Sequence, residues 1–167
     1  MNLRDIVNSS TVLVDASVLL YARNRRSPQC RELLQRCESG AVIGVVTLPT
    51  LADFNHRCMI QEAQGYQPVG AHPARTLSDH PELVRQLNGY ADSVRDLLDS
   101  SLVVAESHAA DFLVALEIQK QHGLLTNDAL NLAIGRRHGI KGIATAGKTF
   151  DDLPAIIIYK PEDISPS

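Results

Sequence analysis

Three aspartates occupy positions from which carboxylates can share one task. Asp15 follows the apolar run Thr11-Val12-Leu13-Val14 and precedes the helix-ready stretch Ala16-Ser17-Val18-Leu19-Leu20-Tyr21. Four strand formers without polar alternation predict a strand buried on both faces, as in a parallel sheet. Asp15 then falls at the carboxyl end of that strand, where ligands gather in open parallel sheets. The same position also suits an ordinary helix N-cap. Asp53 and Asp128 each fall in the first turns of a predicted helix. Helix N-termini and the carboxyl ends of strands point to one side of a parallel sheet, so all three acids are expected at one rim. Singly, Asp53 and Asp128 equally fit the helix dipole's preference for early negative charge. Together, the three repel one another unless something positive holds them, and a hard divalent cation is the simplest candidate. All-oxygen ligation favours Mg²⁺ or Mn²⁺ over zinc.

The elements that must position these acids read as follows. A strand at 11–14 leads into a short helix over 16–23 and the polar turn Arg23-Asn24-Arg25-Arg26. Ser27-Pro28 opens a helix, with Ser as cap and Pro in its first turn, that Gly40 stops. The run at 41–46 is a second buried strand, and Thr47-Leu48-Pro49 leads into a helix over 50 to about 64. Residues 65–80, rich in Gly, Pro and His, read as a loop, long for a compact domain. An amphipathic helix is expected from about 80 to 100, then a strand at 102–105 and a helix capped by Ser107. Thr126 opens the helix that carries Asp128, with strands at 140–145 and 155–159 after it. Strands spaced by helices indicate right-handed crossovers: an α/β fold, a three-layer α/β/α sandwich around a parallel sheet of about five strands.

At 167 residues the chain is expected to form a single domain over 1–167, with a core of its own. Aromatic residues make up only 4% and Trp is absent, so that core is aliphatic. A net charge of −3 gives no global basic signal for nucleic acid, which leaves a local patch or a bound metal to supply positive field. Cys30, Cys37 and Cys58 have no metal-ligand spacing and suggest reduced, buried thiols. With no apolar signal core at the N-terminus and no membrane-length run, a soluble cytoplasmic protein is expected.

Four segments together resemble a known family. Val12-Leu13-Val14-Asp15-Ala16-Ser17-Val18-Leu19-Leu20-Tyr21-Ala22 is similar to the opening of a PIN domain. Val46-Thr47-Leu48-Pro49-Thr50-Leu51-Ala52-Asp53-Phe54-Asn55 resembles that family's second acidic segment, where Glu is usual. Thr126-Asn127-Asp128-Ala129-Leu130 resembles the third, and Ile143-Ala144-Thr145-Ala146-Gly147-Lys148-Thr149-Phe150 the last. The resemblance covers about residues 11–158 and implies a metal-dependent ribonuclease, most often the VapC-like toxin of a toxin–antitoxin pair. It implies an RNA substrate, a small antitoxin protein as partner, and a homodimer. Asp15, Asp53 and Asp128 would be the catalytic metal ligands for Mg²⁺ or Mn²⁺. Ser17, Asn127 and Thr145 would support the site, although Asn127 equally suits a helix cap.

Two departures from the family pattern matter. Gly147 stands at the fourth acidic position, and Asp53 is one methylene shorter than the usual Glu. Asp151 or Asp152 downstream could replace the missing acid, or form an ordinary exposed turn. Lys148 could meet an RNA phosphate as a point charge. A catalytically degenerate PIN-like module that binds RNA or a protein partner is therefore the rival reading. The run Gly142 to Thr149 also matches the phosphate-loop pattern G-x-x-x-x-G-K-[ST] letter for letter. That motif requires a strand before the first Gly and a helix at the Lys, and here the predicted strand occupies the supposed loop. Arg23, Arg25 and Arg26 form a basic cluster that fits either a solvated turn or an RNA-backbone contact.

Overall fold

The computed structural model describes residues 1–66 and 73–164. Five strands, β1 (Thr11–Val14), β2 (Ile43–Thr47), β3 (Val103–Ala105), β4 (Gly142–Ala144) and β5 (Ile157–Tyr159), form one parallel sheet in the order β3-β2-β1-β4-β5. The helices are α1 (Ala16–Arg23), α2 (Pro28–Glu38), α3 (Leu48–Tyr66), α4 (Pro73–Asp79), α5 (Pro81–Val84), α6 (Gly89–Leu98), α7 (Ala109–His122) and α8 (Thr126–Arg137). From β1 the chain steps outward to β2 and β3, then returns through α7 and α8 to β4 on the other side of β1. Strand order therefore reverses between β1 and β4. In open parallel sheets, the crevice outside the carboxyl ends at such a reversal is where ligands bind.

The unalternating run of β1 is apolar because both faces of the sheet are covered. Val12 and Val14 pack with Leu19, Leu33, Val46 and Phe54 on one side. Leu13, with Val45 and Ile143, packs against Leu130 and Ile134 on the other, completing the α/β/α sandwich. Gly135 lets α8 lie close to the sheet: a Cβ there would meet Leu13 Cδ1 at 2.5 Å. A satellite cluster of Ala63, Leu77, Leu83 and Leu87 holds α3, α4 and α5 together. The three thiols are free and buried, as expected, and burial pushes that of Cys30 up to about 11.

Several boundaries differ from the sequence reading. The loop expected over 65–80 is helical at both described ends: α3 runs on to Tyr66, and Pro73–Asp79 form α4, with residues 67–72 outside the described set. Pro73 sits at the start of α4, where a missing N–H is harmless, and Leu77 anchors the helix by burial. The long helix expected from about 80 to 100 is two helices, α5 and α6, divided before Gly89. Glu62 on α3 makes that break tenable by accepting the N–H groups of Asn88, Gly89 and Tyr90 at 2.8, 3.1 and 2.8 Å. Ser107 is not the cap of α7. His108 precedes the helix, and Asp111 reaches back to its N–H at 2.7 Å. No helix among the described residues is long and apolar enough to cross a membrane.

Candidate metal centre

Asp15 ends β1 at the reversal, with its own N–H bonded to Ala144 O of β4 at 3.0 Å. It is also the N-cap of α1, so the capping role and the rim position coincide in one side chain. Its Oδ2 accepts three hydrogen bonds: the Ser17 N–H at 3.3 Å, the Ser17 hydroxyl, and the Thr145 hydroxyl at 2.9 Å. Among the described residues nothing bonds its Oδ1. The donors are themselves held. Ser17 Oγ takes the Ala146 N–H at 3.0 Å, and Thr145 Oγ1 takes the Gly147 N–H at 3.0 Å. Thr145 is almost fully buried at the end of β4, so Asp15 is fixed from both strands that flank the reversal.

Asp53 projects from the second turn of α3, and Arg57, one turn later, pairs with it through Nε at 3.0 Å from Oδ1 and 2.9 Å from Oδ2. Asp128 lies in the first turn of α8, half-buried, and accepts no hydrogen bond among the described residues. Burial raises its pKa above the ordinary carboxylate value, the charges of Asp15 and Asp53 raise it further, and Arg57 partly offsets them. The contribution of Asp15 and Asp53 to that shift reflects the approach of three acids to one another. All three carboxylates, with Arg57, Asn131 and Thr50, line one cavity of about 460 Å³.

The oxygen-only donor set suits a hard divalent cation in its chemistry, and the mutual repulsion felt by Asp128 supplies the need for one. No three His, Cys, Asp or Glu side chains among the described residues stand close enough together to enclose an ion as they are. The Arg57 guanidinium is already in contact with Asp53. It supplies part of the positive charge that a cation would bring.

The other candidates divide. Ser17 and Thr145 are bonded to Asp15, as described. Asn127 is exposed on the cavity lining and is not a cap, since α8 begins at Thr126 after Leu125. Lys148 is exposed in the bend after β4 and is not among the lining residues. Asp151 is ion-paired with Lys160 and likewise does not line the cavity. Gly147 leaves the fourth position open: a Cβ added there would meet only Thr145 Oγ1, at 3.4 Å. The phosphate-loop pattern lacks its structural context, because β4 takes Gly142–Ala144 and no helix begins at Lys148.

The sequence reading missed Arg57 and a buried polar trio. Asn131 Oδ1 accepts the hydroxyls of Thr47 and Thr50, the latter at 3.3 Å, tying the start of α3 to α8 beneath the cavity. Both omissions had helical signals. Arg57 follows Asp53 by four residues and Asn131 follows Asp128 by three, which places each on the same face as its acid.

The PIN domain model matches residues 12–156, and the chain belongs to the PIN domain family. No curated protein matches it in sequence. Among solved structures it is similar to VapBC2 from Rickettsia felis bound to a DNA fragment from their promoter, with a TM-score of 0.58 at 14% identity over 91% of this chain and 99% of that one. It is also similar to Mycobacterium tuberculosis VapC20, a Sarcin-Ricin loop cleaving toxin, with a TM-score of 0.57 at 13% identity over 86% and 95%. A toxin–antitoxin complex from Klebsiella pneumoniae gives 0.53 at 18% identity over 87% and 95%. At such identities the likeness is one of fold.

Proposed function

We propose that this chain, as a single domain, is a metal-dependent ribonuclease that cleaves RNA phosphodiester bonds as the toxin of a toxin–antitoxin pair. The observation that carries this reading is the cavity at the strand reversal, where Asp15, Asp53 and Asp128 arrive from three separate elements and Asp128 is raised by burial and then by the other two. Family membership supports it, because PIN nucleases are generally dependent on a divalent metal. The toxin assignment is supported by structural neighbours that include VapBC2, a toxin–antitoxin complex and a toxin described as Sarcin-Ricin loop cleaving. A small antitoxin, a homodimer and a cytoplasmic setting belong to the same reading.

Asp15, Asp53 and Asp128 would hold Mg²⁺ or Mn²⁺. When bound, such an ion neutralises phosphate charge and makes a coordinated water more acidic. The chain's own residues prepare the site. Ser17 and Thr145 fix one oxygen of Asp15, which leaves the other for a ligand. The Thr47–Thr50–Asn131 network locks α3 against α8, so that Asp53 and Asp128 keep their relative positions. A second reading, a degenerate module that binds RNA or a protein partner, is favoured by Gly147 at the fourth acidic position and by the Asp53–Arg57 pair.

The discriminating experiment measures Mn²⁺ binding by calorimetry and RNA cleavage with and without Mn²⁺, on wild type and Asp15→Asn. Saturable binding and Mn²⁺-dependent cleavage, both lost in the variant, are expected. Cleavage that persists in Asp15→Asn would reject the proposed catalytic site. No Mn²⁺ binding, with RNA affinity equal in both proteins, would establish the degenerate module instead.

A further inference from the structure

A second cavity, of about 290 Å³, opens between α1 and α3 directly beside the acidic one. It is lined by Ser17, Tyr21, Asn24, Arg26, Arg57 and Gln61, among others. Arg57 lines both cavities, and Ser17 bonds Asp15. The two spaces therefore adjoin through residues already placed at the candidate metal centre.

The end of α1 is built to turn an arginine back into this cleft. Arg25 N–H bonds Ala22 O at 3.1 Å and Arg26 N–H bonds Tyr21 O at 2.9 Å, the paired closure of a helix that ends in a left-handed residue. That residue is Arg25, at φ 54, where glycine is usual and an L side chain is disfavoured. The outcome is an Arg26 guanidinium 5.3 Å from the centre of the Tyr21 ring. Among the described residues no carboxylate pairs with Arg26, whereas Arg23 nearby is engaged by Ser93 and Asn24. Across the cleft, Asn24 Nδ2 donates to Gln61 Oε1 at 3.1 Å, so two amides of adaptable polarity close its far wall.

We propose that this cleft is the subsite for the nucleotide next to the scissile phosphate of a single-stranded RNA. Arg26 and Arg57 are its phosphate contacts, Tyr21 its stacking surface, and Asn24 and Gln61 its base-edge contacts. The proposal rests on the RNA reading of the acidic cavity. Aromatic stacking beside guanidinium groups is how proteins hold unpaired nucleotides, and a cleft of this size suits a small group rather than a helix. In a chain of net charge −3, Arg26 has no carboxylate partner among the described residues and keeps its charge available to a phosphate beside the acidic rim.

The test is fluorescence anisotropy of a labelled single-stranded oligoribonucleotide with the full chain in chelator, where binding is read without cleavage. Tyr21→Leu is expected to weaken binding roughly tenfold through lost stacking. Arg26→Gln is expected to weaken it and to flatten the plot of log affinity against log salt by about 0.7, the loss of one phosphate contact to a single strand. Arg136→Gln, at the opposite end of α8 from Asp128, serves as control, and thermal melts verify that each variant is folded. Binding and salt slope unchanged in folded Tyr21→Leu and Arg26→Gln would overturn the proposal. So would selective loss of binding to a labelled polyglutamate peptide with RNA binding intact, which would assign the cleft to an acidic protein partner. Failure of the nuclease reading shows separately, as wild type that neither binds Mn²⁺ nor cleaves RNA while still binding it through this cleft.

Discussion

Carboxylates do two opposite jobs in this molecule, one at the ends of helices away from the acidic cavity and the other at the sheet's rim. Asp111, Glu62 and Asp163 are surrounded by donors. Asp111 takes the Arg137 guanidinium at 2.8 Å and the His108 N–H at 2.7 Å. Glu62 takes three successive backbone N–H groups, and Asp163 takes the Ser27 hydroxyl at 2.6 Å and the Gln29 N–H at 2.8 Å. All three are held below the ordinary carboxylate pKa. Asp128 is the converse: burial and two neighbouring acids push it up. The first set stabilises the fold as it stands. The second is an arrangement that burial and like charge disfavour in the metal-free fold.

The sharpest way to break this contrast is to remove a carboxylate of the first kind. Asp111→Ala strips nearly buried Asp111 of its bonds to the exposed Arg137 and to the His108 N–H, and is expected to lower unfolding free energy by about 2 kcal/mol, the scale of a lost charge-assisted hydrogen bond. Urea unfolding at neutral pH measures it. The pH dependence has a fixed sign. A depressed native pKa contributes stability that is fully present above the unfolded value, near 3.9, and is lost as pH falls through the native value. The gap between wild type and variant is therefore wide at neutral pH and narrows in acid. A gap that widens on acidification would remove Asp111 from the structural set.

Removing a carboxylate of the second kind should act in reverse. At neutral pH, Asp128→Asn removes a charge that burial and two neighbouring acids disfavour, and is expected to stabilise the metal-free fold. The linkage sign agrees: a raised native pKa favours the fold below the unfolded value and penalises it as pH rises through the native one. The same substitution should abolish the gain in melting temperature given by Mn²⁺. Thermal melts with and without the ion test both, and destabilisation of the metal-free variant would refute the repulsion argument.

How much of this was legible in the sequence follows from what each signal depends on. β1 and Asp15 were readable because four buried residues and a cap are local features, and the parallel sheet followed from the spacing of strands and helices. The break at Asn88–Gly89 was not, because it depends on Glu62, a residue 26 positions upstream that meets the chain only after α3 and α6 pack. Thr145 could be placed near the site, but its bond to Asp15 crosses 130 positions, made possible by the pairing of β1 with β4. The convergence of the three acids was inferred from topology. Arg57's pairing with Asp53 was available at i,i+4 and went unread.

A third change tests whether the rim can be completed. Gly147 has room for a side chain and no positive φ, so Gly147→Asp should be accommodated with little loss of stability. If the fourth acidic position faces the same ion, the variant is expected to bind Mn²⁺ several-fold more tightly, an effect on the order of 1 kcal/mol. Isothermal titration decides it. Unchanged affinity would mean that the loop after β4 does not deliver side chains to the cavity.

The smallest stability effect, and the most telling, belongs to Arg57. Its pair with Asp53 is an exposed i,i+4 contact, so Arg57→Gln is expected to change unfolding free energy by no more than about 0.5 kcal/mol. Among the described residues Arg57 is the cation that lowers Asp128 against burial and the two acids that raise it, so the variant should push Asp128 further up and cost the metal-free rim its internal counter-charge. If the guanidinium and an ion compete for Asp53, Mn²⁺ binds the variant more tightly. If Arg57 instead steadies Asp53 for the ion, binding weakens. Titration with Mn²⁺ at constant pH separates the two, and tighter binding is the expected result, because removing a cation that competes with the ion for Asp53 leaves the carboxylate fully available. Weaker binding would move Arg57 from counter-ion to scaffold, and the rim would then resemble the carboxylates at the helix ends more closely than its electrostatics suggest.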